Sequence, residues 1–325
     1  MNIEMVVQNT DTGKAYDVSD LISSISIEWS MEDNPGKLEF TLNDIFVGDY
    51  ISQGSPVSLK ISNTNIFWGY VFKIGKNNKH ETKITAYDQL RYLKSKDTYV
   101  FQGMSCSAIF KKICGDYNLR YKVISESNHI LPQRLEDNKT LAEMIQYAND
   151  MTLINTRNWY FIRDNYGTLE FLNVWDQKTT LCIGDQSLLT DYDYEGSIDG
   201  DTYNQIKLIR EDKEKKKREL YIVKDSSNIK KWGLLQFSEK VDEKLNEAQI
   251  REKADMLLKK YNKVDKSIKL SCIGDFRVKA GVGVVIQIKD LEKDIPYNKY
   301  VIVTKVTHKI DNSKHLMDLE VKMEV

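Results

Sequence analysis

Phe67-Trp68-Gly69-Tyr70-Val71-Phe72-Lys73-Ile74, a polar turn over residues 75–80, then Thr82-Lys83-Ile84-Thr85-Ala86: the reading of this stretch decides the fold class. Both runs are rich in β-branched and aromatic residues and flank a Gly/Asn/Lys turn, the pattern of a β-hairpin. Gly69 removes a side chain in mid-strand, which marks a bulge or a close backbone approach. Trp68, Tyr70 and Phe72 alternate, so they share one strand face and are expected to pack into the core of the first β section. The second run leads into Tyr87-Asp88-Gln89-Leu90-Arg91-Tyr92-Leu93. There Asp88 is placed to cap one helical turn, with Leu90 and Leu93 on the same side.

Upstream, Ile25, Ile27 and Trp29 alternate with polar residues, Asn34-Pro35-Gly36 signals a turn, and Leu38, Phe40 and Leu42 alternate again. Gly54-Ser55-Pro56-Val57-Ser58-Leu59-Lys60-Ile61 adds a strand before the hairpin. Short strands separated by turns predict a small barrel or sandwich. Downstream the pattern changes. Residues 105–117 form an amphipathic helix, and Thr140-Leu141-Ala142-Glu143 is a capping box opening a second helix to about Met151. A second hairpin joins Trp159-Tyr160-Phe161-Ile162 to Leu169-Glu170-Phe171-Leu172. The third section returns to strands around Ile206–Leu208 and Leu220-Tyr221-Ile222-Val223, a helix over 247–261, and a last hairpin of residues 300–306 with 316–321. The expected fold is mainly β with an α+β insert: two small β-barrel domains, 1–97 and 196–325, flank a helix-containing middle domain, 98–195.

A faint internal repeat runs through this plan. Gly54-x-x-Val57-x-Leu59-x-Ile61 is echoed by Gly281-x-x-Val284-x-Ile286-x-Ile288, and Val71-Phe72-Lys73-Ile74 by Val303-Thr304-Lys305-Val306. Two related barrels would explain it. So would the general recurrence of G-x-x-V turns and Val/Ile-rich hairpins in β proteins.

The chain has 325 residues, with Lys+Arg 47 against Asp+Glu 48 and a formal net charge of -1. That balance gives no sign of a polyanionic partner, so no nucleic-acid binding is expected. The N-terminus lacks a basic segment followed by an apolar run, and no stretch approaches ~18 apolar residues. Synthesis in the bacterial cytoplasm, without signal peptide or membrane anchor, is the expectation. Cys106, Cys114, Cys182 and Cys272 form no C-x-x-C, and reduced, mostly buried thiols are expected.

Three clusters carry candidate chemistry. Cys106 begins a helix, where the N-terminal dipole lowers a thiol pKa, and with His129 it makes a nucleophile–base pair suited to a peptidoglycan hydrolase. No peptidase signature surrounds it, and a core cysteine is the simpler reading. His308 and His315 would face each other across the last hairpin if its turn centres on Asp311-Asn312. Zinc needs three or four ligands, so a structural pair is favoured. The run Lys213-Glu214-Lys215-Lys216-Lys217-Arg218 is diluted by Glu211 and Asp212 and reads as a solvated hairpin tip. No catalytic, cofactor-binding or metal residue is assigned, and no cofactor is expected.

The W-G-Y-V hairpin running into T-A-Y-D-x-L-R-Y-L resembles the baseplate hub family of contractile phage tails, also called late control protein D or XkdQ-like. The W-S-x-x-x-x-P-G-x-L-x-F element of residues 29–40 is similar to the start of those proteins. Further matches are Tyr203-Asn204-Gln205-Ile206, Ile229-Lys230-Lys231-Trp232-Gly233, Gly274-Asp275 and residues 301–308. The resemblance implies a non-enzymatic homotrimer that joins the tail tube protein to the central spike protein, among other baseplate proteins, in a virion or tail-like bacteriocin. Some relatives carry a fused lysozyme or spike domain. Here residue 325 follows the last strand directly, so a separate spike or lytic protein is expected. Other readings are the Cys106/His129 cell-wall hydrolase and a carbohydrate-binding β module on the particle surface.

Overall fold

The computed structural model describes the chain apart from residues 33–34, 44–49, 213–216, 242–245, 294–297, 312–313 and 324–325. It divides into two compact units, Met1–Asp193 with Ile268–Val325, and Tyr194–Ser267.

In the larger unit the chain begins with strands β1 (Ile3–Gln8), β2 (Ala15–Asp17), β3 (Ile22–Ser30), β4 (Lys37–Leu42), β5 (Pro56–Ile61), β6 (Thr64–Lys76) and β7 (Thr82–Tyr87). Alternation dictates their inward faces: Leu38, Phe40 and Leu42 on β4 and Val57, Leu59 and Ile61 on β5 are all buried. On β6 the face expectation is corrected. Phe67, Gly69 and Val71 point into the first core, whereas Trp68, Tyr70 and Phe72 share the opposite face, with Phe72 exposed. That second face is also covered. Trp68 lies against Gly167, Arg120 sits 5.0 Å above its ring, and Tyr70 and Phe72 meet Tyr92. Gly69 is a close approach, as expected, since a Cβ there would stand 2.3 Å from the Tyr87 carbonyl oxygen.

The middle section contains β8 (Lys96–Phe101), helix α1 (Cys106–Asp116), β9 (Tyr121–Val123), β10 (Arg134–Thr140), helix α2 (Leu141–Thr156), β11 (Tyr160–Asp164) and β12 (Leu169–Asn173). Ser105 caps α1, and the Thr140/Glu143 capping box opens α2 as its sequence requires. Ile109, Phe110 and Ile113 of α1 and Leu141, Met144 and Ala148 of α2 share a buried core with Leu169 and Phe171. Next come β13 (Lys178–Gly184) and β14 (Leu189–Ser197).

The smaller unit holds β15 (Gln205–Asp212), β16 (Lys217–Lys224), helix α3 (Ser226–Trp232), β17 (Gln236–Val241) and helix α4 (Glu247–Tyr261). Its sheet runs β16-β15-β17, and Ile250 and Ala254 of α4 bury against Ile206, Leu208 and Val241. The chain then returns through β18 (Asp265–Ile273), β19 (Gly283–Gln287), β20 (Lys299–Asp311) and β21 (Lys314–Met323).

The protein is mainly β. One continuous ladder runs β14-β18-β21-β20-β3-β4-β7-β6-β5-β1-β2, with β19 beside β20 and β13 beside β19. Among the described residues this ladder has open ends. Within it the internal repeat is physical: β3-β4-β7-β6-β5 and β14-β18-β21-β20-β19 have the same neighbour order. Gly54 and Gly281 both adopt φ +85. Gly54 N–H donates to Val71 O at 2.7 Å and Val71 N–H to Ser55 O at 2.9 Å; Gly281 donates to Val303 O at 2.8 Å and Val303 to Val282 O at 2.9 Å. The long strands each shift register immediately afterwards, between Val71 and Lys73 and between Val303 and Lys305. Asn43 N–H donates to Leu21 O as Ile273 does to Leu188 O, and the Ser23 hydroxyl donates to Thr41 O as Thr190 does to Ser271 O. The registers then equate Leu38, Phe40, Ile84 and Ala86 with Ile268, Leu270, Leu319 and Val321, all buried. One edge differs: β1 lies antiparallel to β5, whereas β13 lies parallel to β19.

Candidate functional site

Where the first β section meets the middle section, two carboxylates 76 positions apart are enclosed together. Asp88 caps the 3-10 turn Gln89–Lys94, its Oδ1 accepting from Leu90 N–H at 3.0 Å, while its own N–H donates to Gly36 O at 3.0 Å. Its Oδ2 is buried without a hydrogen-bond partner. Gly36 is required for more than a turn, because a Cβ there would stand 2.2 Å from that oxygen. Asp164 enters from the β11–β12 turn, accepting from Gly167 N–H at 2.6 Å and from Gln89 N–H at 3.3 Å. The Gln89 side-chain amide in turn donates to Gly167 O. Burial, reinforced by the charge of Asp164, pushes the Asp88 carboxyl well above its ordinary range, and burial raises Asp164 to about 6.

Cationic groups surround the pair without neutralising it. Arg120 and Lys279 favour ionised Asp164. Lys279 lies 5.5 Å above the Trp29 ring and has its own pKa lowered, first by burial and then by the Arg163 charge. Arg163 is already held by Glu170 at 2.9 Å. The arrangement clamps two carboxyl groups in surroundings that favour the protonated form, most strongly at Asp88, and the adjoining cleft of about 20 Å³ is too small for a substrate. Asp88 reads in sequence as a cap, and it is one. Its pairing with Asp164 has no local sequence signal.

A bridge between Ser105 and Ile130 brings the backbone beside His129 to the start of α1. Cys106 nevertheless points inward, fully buried, with its Sγ 3.8 Å from Ile145 O. Burial raises its pKa, the opposite of what a thiolate nucleophile needs. No hydrogen bond joins it to His129 among the described residues.

His308 and His315 do come together, offset by two residues rather than directly opposed, since His308 pairs with Met317 and His315 with Ile310. His308 Nδ1 is 2.9 Å from His315 Nε2, and His308 Nε2 is 2.9 Å from Val278 O. A neutral His308 donating to Val278 and accepting from His315 satisfies both contacts. Phe276 stacks on the two rings at 4.9 and 4.2 Å. Burial lowers both pKa values, His308 to about 4. No group of three metal-ligating side chains occurs among the described residues. Of the lysine-rich run, residues 213–216 lie outside the described residues, while Arg218 pairs with Glu211.

With this geometry in place, comparison with known proteins decides the family. The chain belongs to the YQBQ-like family. The match spans residues 25–322. Phage-like element PBSX protein XkdQ of Bacillus subtilis (strain 168) is 28% identical over 306 residues, covering 92% of this chain and 91% of that protein. The 43 kDa tail protein of prophage MuSo2 from Shewanella oneidensis superposes with a TM-score of 0.72 at 13% identity, over 99% of this chain and 98% of that one. The E. coli c3393 protein is described as a type VI secretion component similar in structure to T4 tail proteins gp27 and gp5. It superposes with a TM-score of 0.57 at 10% identity, over 94% and 74% of the two chains. The YQBQ-like chain therefore has a phage-tail fold, and its resemblance to baseplate hub proteins stands.

Proposed function

We propose that this YQBQ-like chain is a structural hub protein of a phage or phage-like tail baseplate. Three copies form a ring that connects the hexameric tail tube to the threefold central spike of a contractile tail or tail-like particle. The observation that carries this reading is the duplicated five-strand set, with its matched glycines, bulges and hydrogen bonds. A trimer of such chains presents six similar β units, the number a hexameric tube needs, while retaining the threefold symmetry of a spike. The ring sections are the two five-strand sets, drawn from residues 22–87 and from 189–197 with 265–323, and the α+β section with helices α1 and α2 lies outside the ring.

The role is assembly rather than catalysis. The Cys106/His129 hydrolase reading is disfavoured because the thiol is buried and its pKa is raised. The partners are further copies of the chain, the tube protein, the spike protein and other baseplate proteins, and the destination is the particle. The test is the copy number in purified particles and the mass of the isolated ring. Three copies per baseplate, and a species near three times 37.8 kDa, are expected. Six copies, or absence from the particle, would overturn the reading.

A further inference from the structure

Among the described residues the two five-strand sets of one chain share one strand-to-strand joint. Strand β3 of the first set pairs antiparallel with β20 of the second, from Lys305 opposite Ser30 to Asp311 opposite Ser24. An ion pair seals it, Lys305 Nζ to Glu28 Oε2 at 3.3 Å. Each of these strands has a counterpart in the other set. The counterpart of β20 is β6, with Val71 matching Val303, and the counterpart of β3 is β14, with Ser23 matching Thr190. Among the described residues β14 ends the ladder, and the part of β6 beyond its bulge, residues 73–76, pairs only with β7. Among the described residues the chain thus makes one joint and leaves both halves of an equivalent joint open.

We propose that β14 of one copy pairs with residues 73–76 of β6 in the next copy, repeating the β3·β20 joint between chains. This deepens the hub reading and rests on it. The register follows from the internal joint: Lys73 corresponds to Lys305 and faces Ser197 of the neighbouring copy, and Gly75 faces Glu195. The sealing ion pair is retained in kind, because Lys73 stands where Lys305 does and Glu195 where Glu28 does. Both are exposed in the single chain. The charges complement each other more widely: Asp191, Asp193 and Glu195 alternate along β14, and Lys73, Lys76 and Lys79 lie along the end of β6 and its turn. Because the joint is head-to-tail, repeating it about the threefold axis of the hub closes a ring of three copies.

Two measurements test the joint. Lys73→Glu and Glu195→Lys, each a change at an exposed side chain, should leave the melting temperature unchanged and weaken self-association about tenfold. The double reversal should restore it to within about threefold of the starting chain. In particles produced with a Lys73→Cys/Ser197→Cys chain, a short bis-maleimide should give covalent dimers and trimers, because directly paired residues place their Cβ atoms about 4.5–5.5 Å apart. Particles that contain the double-cysteine chain yet yield only monomer would overturn the joint and leave the hub reading standing. Single reversals that associate as before would do the same. A chain absent from the particles would overturn the hub reading itself, and the joint with it.

Discussion

Asp164→Asn should change how stability depends on pH, and the structure fixes the sign. The folded state raises the Asp164 carboxyl from 3.8 to about 6 through burial. A raised carboxyl pKa means that folding favours the protonated form. Its contribution is therefore fully present below pH 3.8 and is lost as pH rises through 6. About two pKa units correspond to roughly 3 kcal/mol, reduced to roughly 2–3 kcal/mol because one side of the group still meets solvent. His308 and His315 work in the opposite direction. Their pKa values are lowered, so their stabilisation is present above 6.5 and is lost as pH falls below it, for His308 through about 4. Subtraction removes that background. Asparagine keeps an oxygen for the Gly167 N–H and gives up the longer bond from Gln89 N–H, at about 1 kcal/mol. Urea unfolding of both proteins between pH 4 and pH 8, followed by tryptophan fluorescence, should show the variant slightly weaker at pH 4. It should gain about 2–3 kcal/mol on the wild type by pH 7–8. Parallel curves, or a variant that falls further behind at pH 8, would refute the buried-acid account.

Gly36→Ala should destabilise the larger unit by about 1–3 kcal/mol, since the new methyl group must displace the enclosed Asp88 carboxyl; an unchanged melting curve argues against that close approach. Trp68→Ala should cost about 2 kcal/mol, less than a fully buried tryptophan. Hydrogen exchange should rise around residues 164–169, where the ring packs on Gly167, and a rise confined to β4 would contradict the assigned face. Native Cys106 should resist a thiol reagent that labels it readily in urea, and Cys106→Ala should leave any peptidoglycan-clearing activity of purified particles unchanged. Rapid native labelling, or loss of clearing in the variant, would reopen the hydrolase reading.

Much of the fold was legible because it is locally encoded. The capping box at Thr140, the apolar stripe of residues 247–261 and the alternation on β4 depend on neighbours within a few positions, and each appears where the pattern places it. The echo of Gly54 in Gly281 was legible for the same reason: both glycines serve the same left-handed turn beside the same bulge. The face of β6 was not. Ring size suggested that Trp68, Tyr70 and Phe72 point inward, but β6 is covered on both sides and its first-core face is built from Phe67, Gly69 and Val71. Alternation identifies two faces without saying which one meets which neighbour. The Asp88/Asp164 clamp was equally hidden, because each residue has a sufficient local role in a cap or a turn, and only tertiary folding brings them together.

The two copies of the joint face different physical demands, and their sequences differ accordingly. The β3·β20 joint forms within one chain, so its strands meet at any concentration and pay no translational entropy of association. Its β3 side needs little charge and carries Ser24 and Ser26 ahead of Glu28. The counterpart positions on β14 are Asp191, Asp193 and Glu195. An exposed strand edge invites pairing with any other edge, and a row of acids discourages two β14 edges from joining each other. The same row attracts an edge flanked by lysines and speeds the correct encounter more than it tightens it. The hydrophobic positions follow suit: buried Ile25 and Ile27 in the internal joint are matched by half-buried Tyr192 and Tyr194, whose hydroxyls tolerate water. On this argument, salt should slow ring closure between chains while leaving the internal joint intact. A ring that closes equally fast at low and high ionic strength would mean that the acidic row serves some purpose other than choosing the partner edge.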